Sequence, residues 1–225
     1  MPLLGRAAML LSFDVVSEAI AEHDDWHTHE HLRERLSIPG FVRGSRWVAV
    51  RGQPRYFVLY EVEDLATLTS DAYLQRLNNP SPWTSKMMAH YRGMSRGFCS
   101  VIASFGAGVG GDCLLARFKP APEAASSLRK WLCDEALPAL PAKPGLGSVH
   151  LFEGALTPSM TNEQRIRGAD AGVDWALVVT GYSQDVLARL PEGGVLKELA
   201  RRCPAKILSA AYRLDYSLGA GETRP

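Results

Sequence analysis

Three histidines and a glutamate crowd into one short stretch, Asp25-Trp-His-Thr-His-Glu-His31. Histidine titrates near neutrality and suits proton transfer, so Glu30-His31 is the first candidate for acid–base work. On a helix Leu32 and Leu36 mark the core-facing stripe; His31 lies about 100° from Leu32 and flanks it, while Glu30 turns nearer solvent. His31 can then reach a cleft between helix and sheet, with Glu30 orienting or tuning it. The competing reading has His31 packing a helix end and bonding a backbone carbonyl. His27 and His31 stand four apart, a spacing that can hold a metal, but a third ligand is missing and no metal is expected. His29 lies within about 60° of Leu32 and is either buried or a contact to a ligand.

Strand residues supply the other candidates. Tyr60 sits in the otherwise apolar run Phe57 to Val62, where a buried hydroxyl needs a partner. Arg46 alternates with Val42, Val48 and Val50, so it is either paired in the core or aimed at an anion. Arg35 is read as a salt bridge across its helix. Trp26 and Trp83 offer apolar walls. Trp83, Met87, Met88, His90, Tyr91 and Met94 have helical spacing; this is core packing first and a candidate lid second.

The elements that must position these groups repeat. Trp26, Glu30, Pro39 and Gly40 recur as Trp131, Glu135, Pro144 and Gly145, each 105 positions on, whereas His31 becomes Ala136. Strands are read at 7–15, 41–51, 56–62 and 98–105, with helices at 22–37, 64–77 and 83–94. The second half offers strands at 113–118, 148–153, 175–182 and 207–214, and helices at 122–137 and 184–202. Each half reads β-α-β-β-α-β, the ferredoxin-like plan. Phe57-Val-Leu-Tyr60 and Trp175-Ala-Leu-Val-Val179 are continuous apolar runs, as in strands covered on both faces. The expected fold class is therefore α+β, with tandem-duplicated ferredoxin-like units, 1–105 and 112–225, forming one intact α+β barrel. Residues 106–111 are its Gly-rich linker. The polar loop 155–172 is long enough to be functional or mobile.

Bulk composition narrows the classes. Formal net charge is +1, 46% of residues are hydrophobic and 22% charged, so no field draws nucleic acid or a membrane. The four cysteines lie far apart, without CxxC, and there is no apolar window long enough to span a bilayer. A cytoplasmic protein is expected. Gly106-Ala-Gly-Val-Gly-Gly111 fits GxGxxG literally, but a strand rather than a helix follows, so no dinucleotide is implied.

Asp25-Trp-His-Thr-His-Glu-His31 with Arg35-Leu36, Ile38-Pro-Gly-Phe41 and Arg46 resembles the W-x-x-x-E-H-x-x-x-R-L-x-x-P-G-F signature of the dimeric α+β barrel proteins. Among these the EthD-like proteins, in a duplicated branch, are the nearest resemblance. The superfamily also includes muconolactone isomerases, antibiotic-biosynthesis monooxygenases, olivetolic-acid-type cyclases and chlorite dismutases. The resemblance implies an enzyme of lyase or isomerase type that needs no cofactor. It would perform isomerisation, cyclisation or elimination on a small, partly apolar metabolite. In that scheme His31 and Glu30 do the acid–base work, Arg46 or Tyr60 holds the oxyanion, and Trp26, Trp83 and His29 contact substrate. The alternatives are a haem- or oxygen-dependent oxidoreductase of the same superfamily, with a histidine as axial ligand if haem is bound, and a non-catalytic small-molecule-binding barrel. The partner is a small molecule, and the assembly a monomer or homodimer.

Overall fold

Apolar residues alternate along the strands in a way that leaves neither face to water. In β1 (Ala7–Val15) and β3 (Tyr56–Val62), Ala8, Leu10, Phe57 and Leu59 share one buried cluster, while Met9, Phe13, Tyr56, Val58 and Tyr60 belong to another. β7 (Trp175–Gly181) divides the same way: Ala176 and Val178 join the first cluster, Trp175, Leu177 and Val179 a third. Period-two alternation sends these sets to opposite faces. A computed structural model of the chain, which describes residues 3–156 and 160–223, shows what receives them.

The eight strands close into an antiparallel barrel in the order β1-β3-β2-β8-β5-β7-β6-β4. The others are β2 (Phe41–Arg51), β4 (Tyr91–Gly106), β5 (Asp112–Phe118), β6 (Leu146–Leu156) and β8 (Leu208–Gly219). The shared cluster fills the barrel, and each remaining cluster lies between barrel and helices. Closure removes the free sheet edges. Each half contributes four neighbouring strands, and the pairs β2–β8 and β4–β6 join the halves.

Helices cover the outside. α1 (Ile20–Trp26) and α2 (Leu32–Leu36) are joined by a π-helical turn, His27–His31. α3 (Asp71–Asn78) and α4 (Pro82–Met88) complete the first half; Ser70 and Ser81 cap them through hydrogen bonds from the backbone N–H groups of Tyr73 and Thr84. In the second half α5 (Pro122–Trp131) runs into a second π turn, Leu132–Ala136, again 105 positions on. Gly40 and Gly145, which follow these helical segments, both have φ of +89°, a conformation that favours glycine. α6 (Asn162–Arg167) lies between β6 and β7, and α7 (Gln184–Arg189) and α8 (Gly194–Arg202) precede β8.

Three elements depart from expectation, the first being 64–77, which is a 3-10 segment at Leu65–Thr69 followed, after extended Ser70, by α3. The segment 83–94 is not one helix: α4 ends at Met88 and β4 begins at Tyr91. Register slips where Asp14 pairs with Arg92 and Ser12 with Ser95, and Gly93 takes φ of +60° at the bulge. The extra residue lets Tyr91 and Met94, three apart, both join the cluster under the helices, which imitates helical spacing. The segment 184–202 is broken at Leu190–Glu192 and by Gly194, whose φ is +57°. Thr157 and Pro158 of the 155–172 loop lie outside the described residues, while its later part forms α6.

Candidate functional site: a buried cavity under the first helix

A π turn widens the helix by one residue, and the residues on it face differently from an α-helical projection. At the turn the Asp24 carbonyl accepts from the His27 backbone N–H and from two side chains, Thr28 Oγ1 at 2.7 Å and Arg46 Nη1 at 3.1 Å. Arg46 is otherwise committed to Asp215, with Nε 2.7 Å from Oδ2, and to Thr28 Oγ1 at 3.0 Å from Nη2. It therefore holds the turn in shape and does not reach a ligand site. His23, His27, His31 and Arg35, each four apart, all lie buried beneath this helix.

His27, His31 and Arg35 line a cavity of about 30 Å³, room for about one or two water-sized molecules. Its apolar wall includes Met9, Leu11, Phe13, Val58, Leu77 and Met88. Tyr60, Tyr73, Tyr91, Arg96, Glu163 and Arg167 complete the polar side. His27 Nε2 lies 3.4 Å from Tyr60 Oη, whereas His27 Nδ1 has no hydrogen-bond partner among the described residues. His31 Nδ1 is likewise unpartnered there, with Glu34 Oε2 at 4.0 Å. The two imidazoles lie 5.4 Å apart, and Trp26 backs His31 at 4.4 Å between ring centroids.

Burial sets the protonation of these groups. It holds both His27 and His31 well below the usual imidazole range, His27 further lowered by His23 and nearby guanidiniums and His31 by Arg35. Both are neutral at pH 7 and available as bases. Burial also pushes the Tyr60 hydroxyl up, which keeps it a phenol able to donate. A relay runs beside them: Asp24 Oδ1 to His23 Nδ1 at 3.1 Å, and His23 Nε2 to Tyr91 Oη at 3.2 Å on the cavity wall. Tyr56 donates to the same carboxylate oxygen at 2.7 Å.

The far wall comes from the other half of the chain. Arg35 Nη2 is 2.5 Å from Glu163 Oε1, Arg96 Nε is 2.8 Å from Asp170 Oδ2, and Arg167 Nη2 is 2.8 Å from the same Asp170 oxygen. α6 and the residues after it thus form one wall of the first half's cavity, and Met88, Tyr91 and Met94, from the segment expected as a lid, line it as well.

The expected site residues separate cleanly. His31 and Tyr60 reach the cavity together. Glu30 does not touch His31; its Oε1 accepts hydrogen bonds from Trp26 Nε1, Ser81 Oγ and Thr84 Oγ1 and ties α4 to the π turn. His29 is exposed and paired with Asp25 at 2.8 Å. Trp83 donates to Glu22, and neither Trp26 nor Trp83 lines the cavity. Sequence pattern alone misses His23, Arg96, Glu163 and Arg167, reads Tyr91 as packing, and confines Arg35 to a bridge within its own helix. The signal for two of them is the ladder of fours from His23 to Arg35, visible once a π turn is allowed. Its counterparts 105 positions on are Leu128, Leu132, Ala136 and Leu140, an apolar set in which each leucine is buried in the second half's core.

No family model matches the sequence, and no curated protein does. Solved structures do share its fold. An anthrone oxidase-like protein superimposes with a TM-score of 0.70 at 10% identity, covering 100% of this chain and 98% of its own. A protein of Fusobacterium nucleatum described as a monooxygenase gives 0.64 at 9% identity, with 96% of each chain covered. A Lactobacillus acidophilus protein, also described as a monooxygenase, gives 0.58 at 8%, covering 95% of this chain and 96% of its own. These likenesses establish an eight-stranded α+β barrel without favouring the EthD-like branch. They also correct the expected chemistry. The barrels that share this architecture are described as oxidase-like or as monooxygenases, not as lyases or isomerases, and the expectation of isomerisation, cyclisation or elimination is withdrawn.

Proposed function

We propose that the chain is an oxygen-dependent oxidoreductase acting on an electron-rich aromatic with an acidic C–H group, of the anthrone kind. The observation that carries this reading is the pair of neutral, buried imidazoles with unpartnered nitrogens on a cavity the size of dioxygen. His31 or His27 takes the proton from carbon, and the Arg35 charge beside them favours the resulting carbanion or enolate. Dioxygen oxidises that anion. One oxygen atom becomes the new carbonyl and the other leaves as water with the two hydrogens of the CH₂ group, so no external reductant is needed. The imidazolium returns its proton to the peroxide so formed; the same base then removes the second C–H hydrogen, the O–O bond breaks, and the departing hydroxide takes that proton to leave as water. Tyr60 orients His27.

The closed cavity of about 30 Å³ is smaller than such a substrate, which enters only if α6 moves outward. The barrel is read as two duplicated ferredoxin-like units, 1–105 and 112–225, joined by 106–111, of which one copy carries the site and the other a filled core. Matching π turns and matching Gly40 and Gly145 geometry support that reading. The test is oxygen uptake with anthrone. One O₂ consumed per substrate is expected, with a fall of about 100-fold or more in His31→Ala or His27→Ala. Uptake no faster than the spontaneous reaction, or both variants at the wild-type rate with native circular dichroism, overturns the proposal.

A further inference from the structure

Charge around the cavity is unbalanced. Three guanidiniums, Arg35, Arg96 and Arg167, meet two carboxylates, Glu163 and Asp170, and all five side chains are at most 5% exposed. The histidines beside them are neutral, and Glu34 stands just outside the cluster, its Oε1 3.3 Å from half-exposed Arg76 and its Oε2 buried 4.0 Å from His31 Nδ1. Within these five groups one positive charge is left without a carboxylate of its own, an arrangement that is costly in a buried cluster unless something neutralises it. Arg35 shows where. Its Nη2 holds Glu163, while its Nη1 is buried and has no hydrogen-bond partner among the described residues. The opposite wall is apolar, and Met9, Met88 and Met94 supply thioether chains that reshape easily.

We propose that the cavity is the seat of an anionic oxygen, a carboxylate or ionised phenol borne on an apolar aromatic body, held by Arg35 Nη1. The oxygen neutralises the spare charge while Glu163 keeps Nη2, and the body lies against Met9, Leu11, Phe13 and Val58. Seating it moves α6 outward, because an aromatic body exceeds the closed volume. This deepens the oxidase reading by giving its substrate a charge, and rests on that reading only for the choice of site.

Isothermal titration of the full chain with 2-naphthoate and with its neutral isostere 2-naphthamide tests the seat. The carboxylate is expected to bind about 10-fold or more tightly than the amide, the worth of one buried charge-assisted hydrogen bond. Arg35→Gln alone strands Glu163, so the decisive variant is Arg35→Gln/Glu163→Gln, which removes the seat and leaves the surrounding charge at one. It should erase the preference while keeping near-UV circular dichroism. Equal binding of the two probes, no binding of the carboxylate, or a preference surviving in the double variant overturns the proposal. Naphthoate preference without oxygen uptake on any aromatic would overturn the oxidase reading alone, and uptake without the preference would overturn the anion seat alone.

Discussion

His27→Leu should make the protein more stable, and increasingly so as the solution becomes acidic. Position 27 is the counterpart of Leu132, which is fully buried in the apolar core of the second half. The wild-type imidazole keeps Nδ1 buried without a partner among the described residues, a penalty of about 1–3 kcal/mol. The leucine removes that penalty but strands Tyr60 Oη, whose bond to Nε2 is long at 3.4 Å and worth about 1 kcal/mol. The net gain at pH 7.5 is therefore about 0–2 kcal/mol. Protonation adds a second part. Because the folded-state pKa of His27 is depressed, the unfolded chain binds a proton below about pH 6.5 that the folded chain refuses. Stability of the wild type thus falls with pH, by about 1.4 kcal/mol between pH 7.5 and 5.5 for this one group. Leucine has no such loss. Urea denaturation followed by tryptophan fluorescence at both pH values reads the difference. A variant advantage that does not grow on acidification, or a wild type more stable at pH 5.5, refutes the reasoning.

The same linkage applies to His23, to His31 and to His150, whose pKa is lowered to about 4 chiefly by burial. Near pH 5.5 unfolding should take up protons at these rings and at His27, so unfolding free energy should fall on acidification, and a slope near zero contradicts the burial of these rings. Glu163→Gln leaves Arg35 charged and without its carboxylate; it should cost about 3–5 kcal/mol in chemical denaturation, with part recovered in Arg35→Gln/Glu163→Gln. A loss below about 1 kcal/mol would mean that the bridge is screened by water.

The barrel is legible in the sequence because its strands are apolar on both faces and its turns are punctuated by glycine and proline. β2 and β3 can be placed to the residue, since the hairpin Gly52-Gln53-Pro54 leaves little freedom. The site is legible only where chemistry and periodicity agree, at His31 and Tyr60. A projection at 3.6 residues per turn misplaces residues at a π insertion: it turns Glu30 toward solvent, whereas Glu30 binds Trp26, Ser81 and Thr84. A bulged strand imitates a helix at Tyr91 and Met94. Arg96, Glu163 and Arg167 cannot be found from pattern at all: Arg35 and Glu163 meet across 128 positions of sequence, and no local signal encodes a pairing made by the fold as a whole.

The seams of the barrel bear on how the molecule is made. β8, the last strand in the sequence, lies between β2 and β5, and β6 must arrive before β4 has a second neighbour. As the chain emerges from the ribosome, the first four strands can pair among themselves long before either outer strand is covered. The nascent protein therefore carries two open edges through most of its synthesis, and Arg43, Arg46 and Arg51 along β2 put charge on one of them. Such charges discourage pairing between neighbouring nascent chains until β8 arrives.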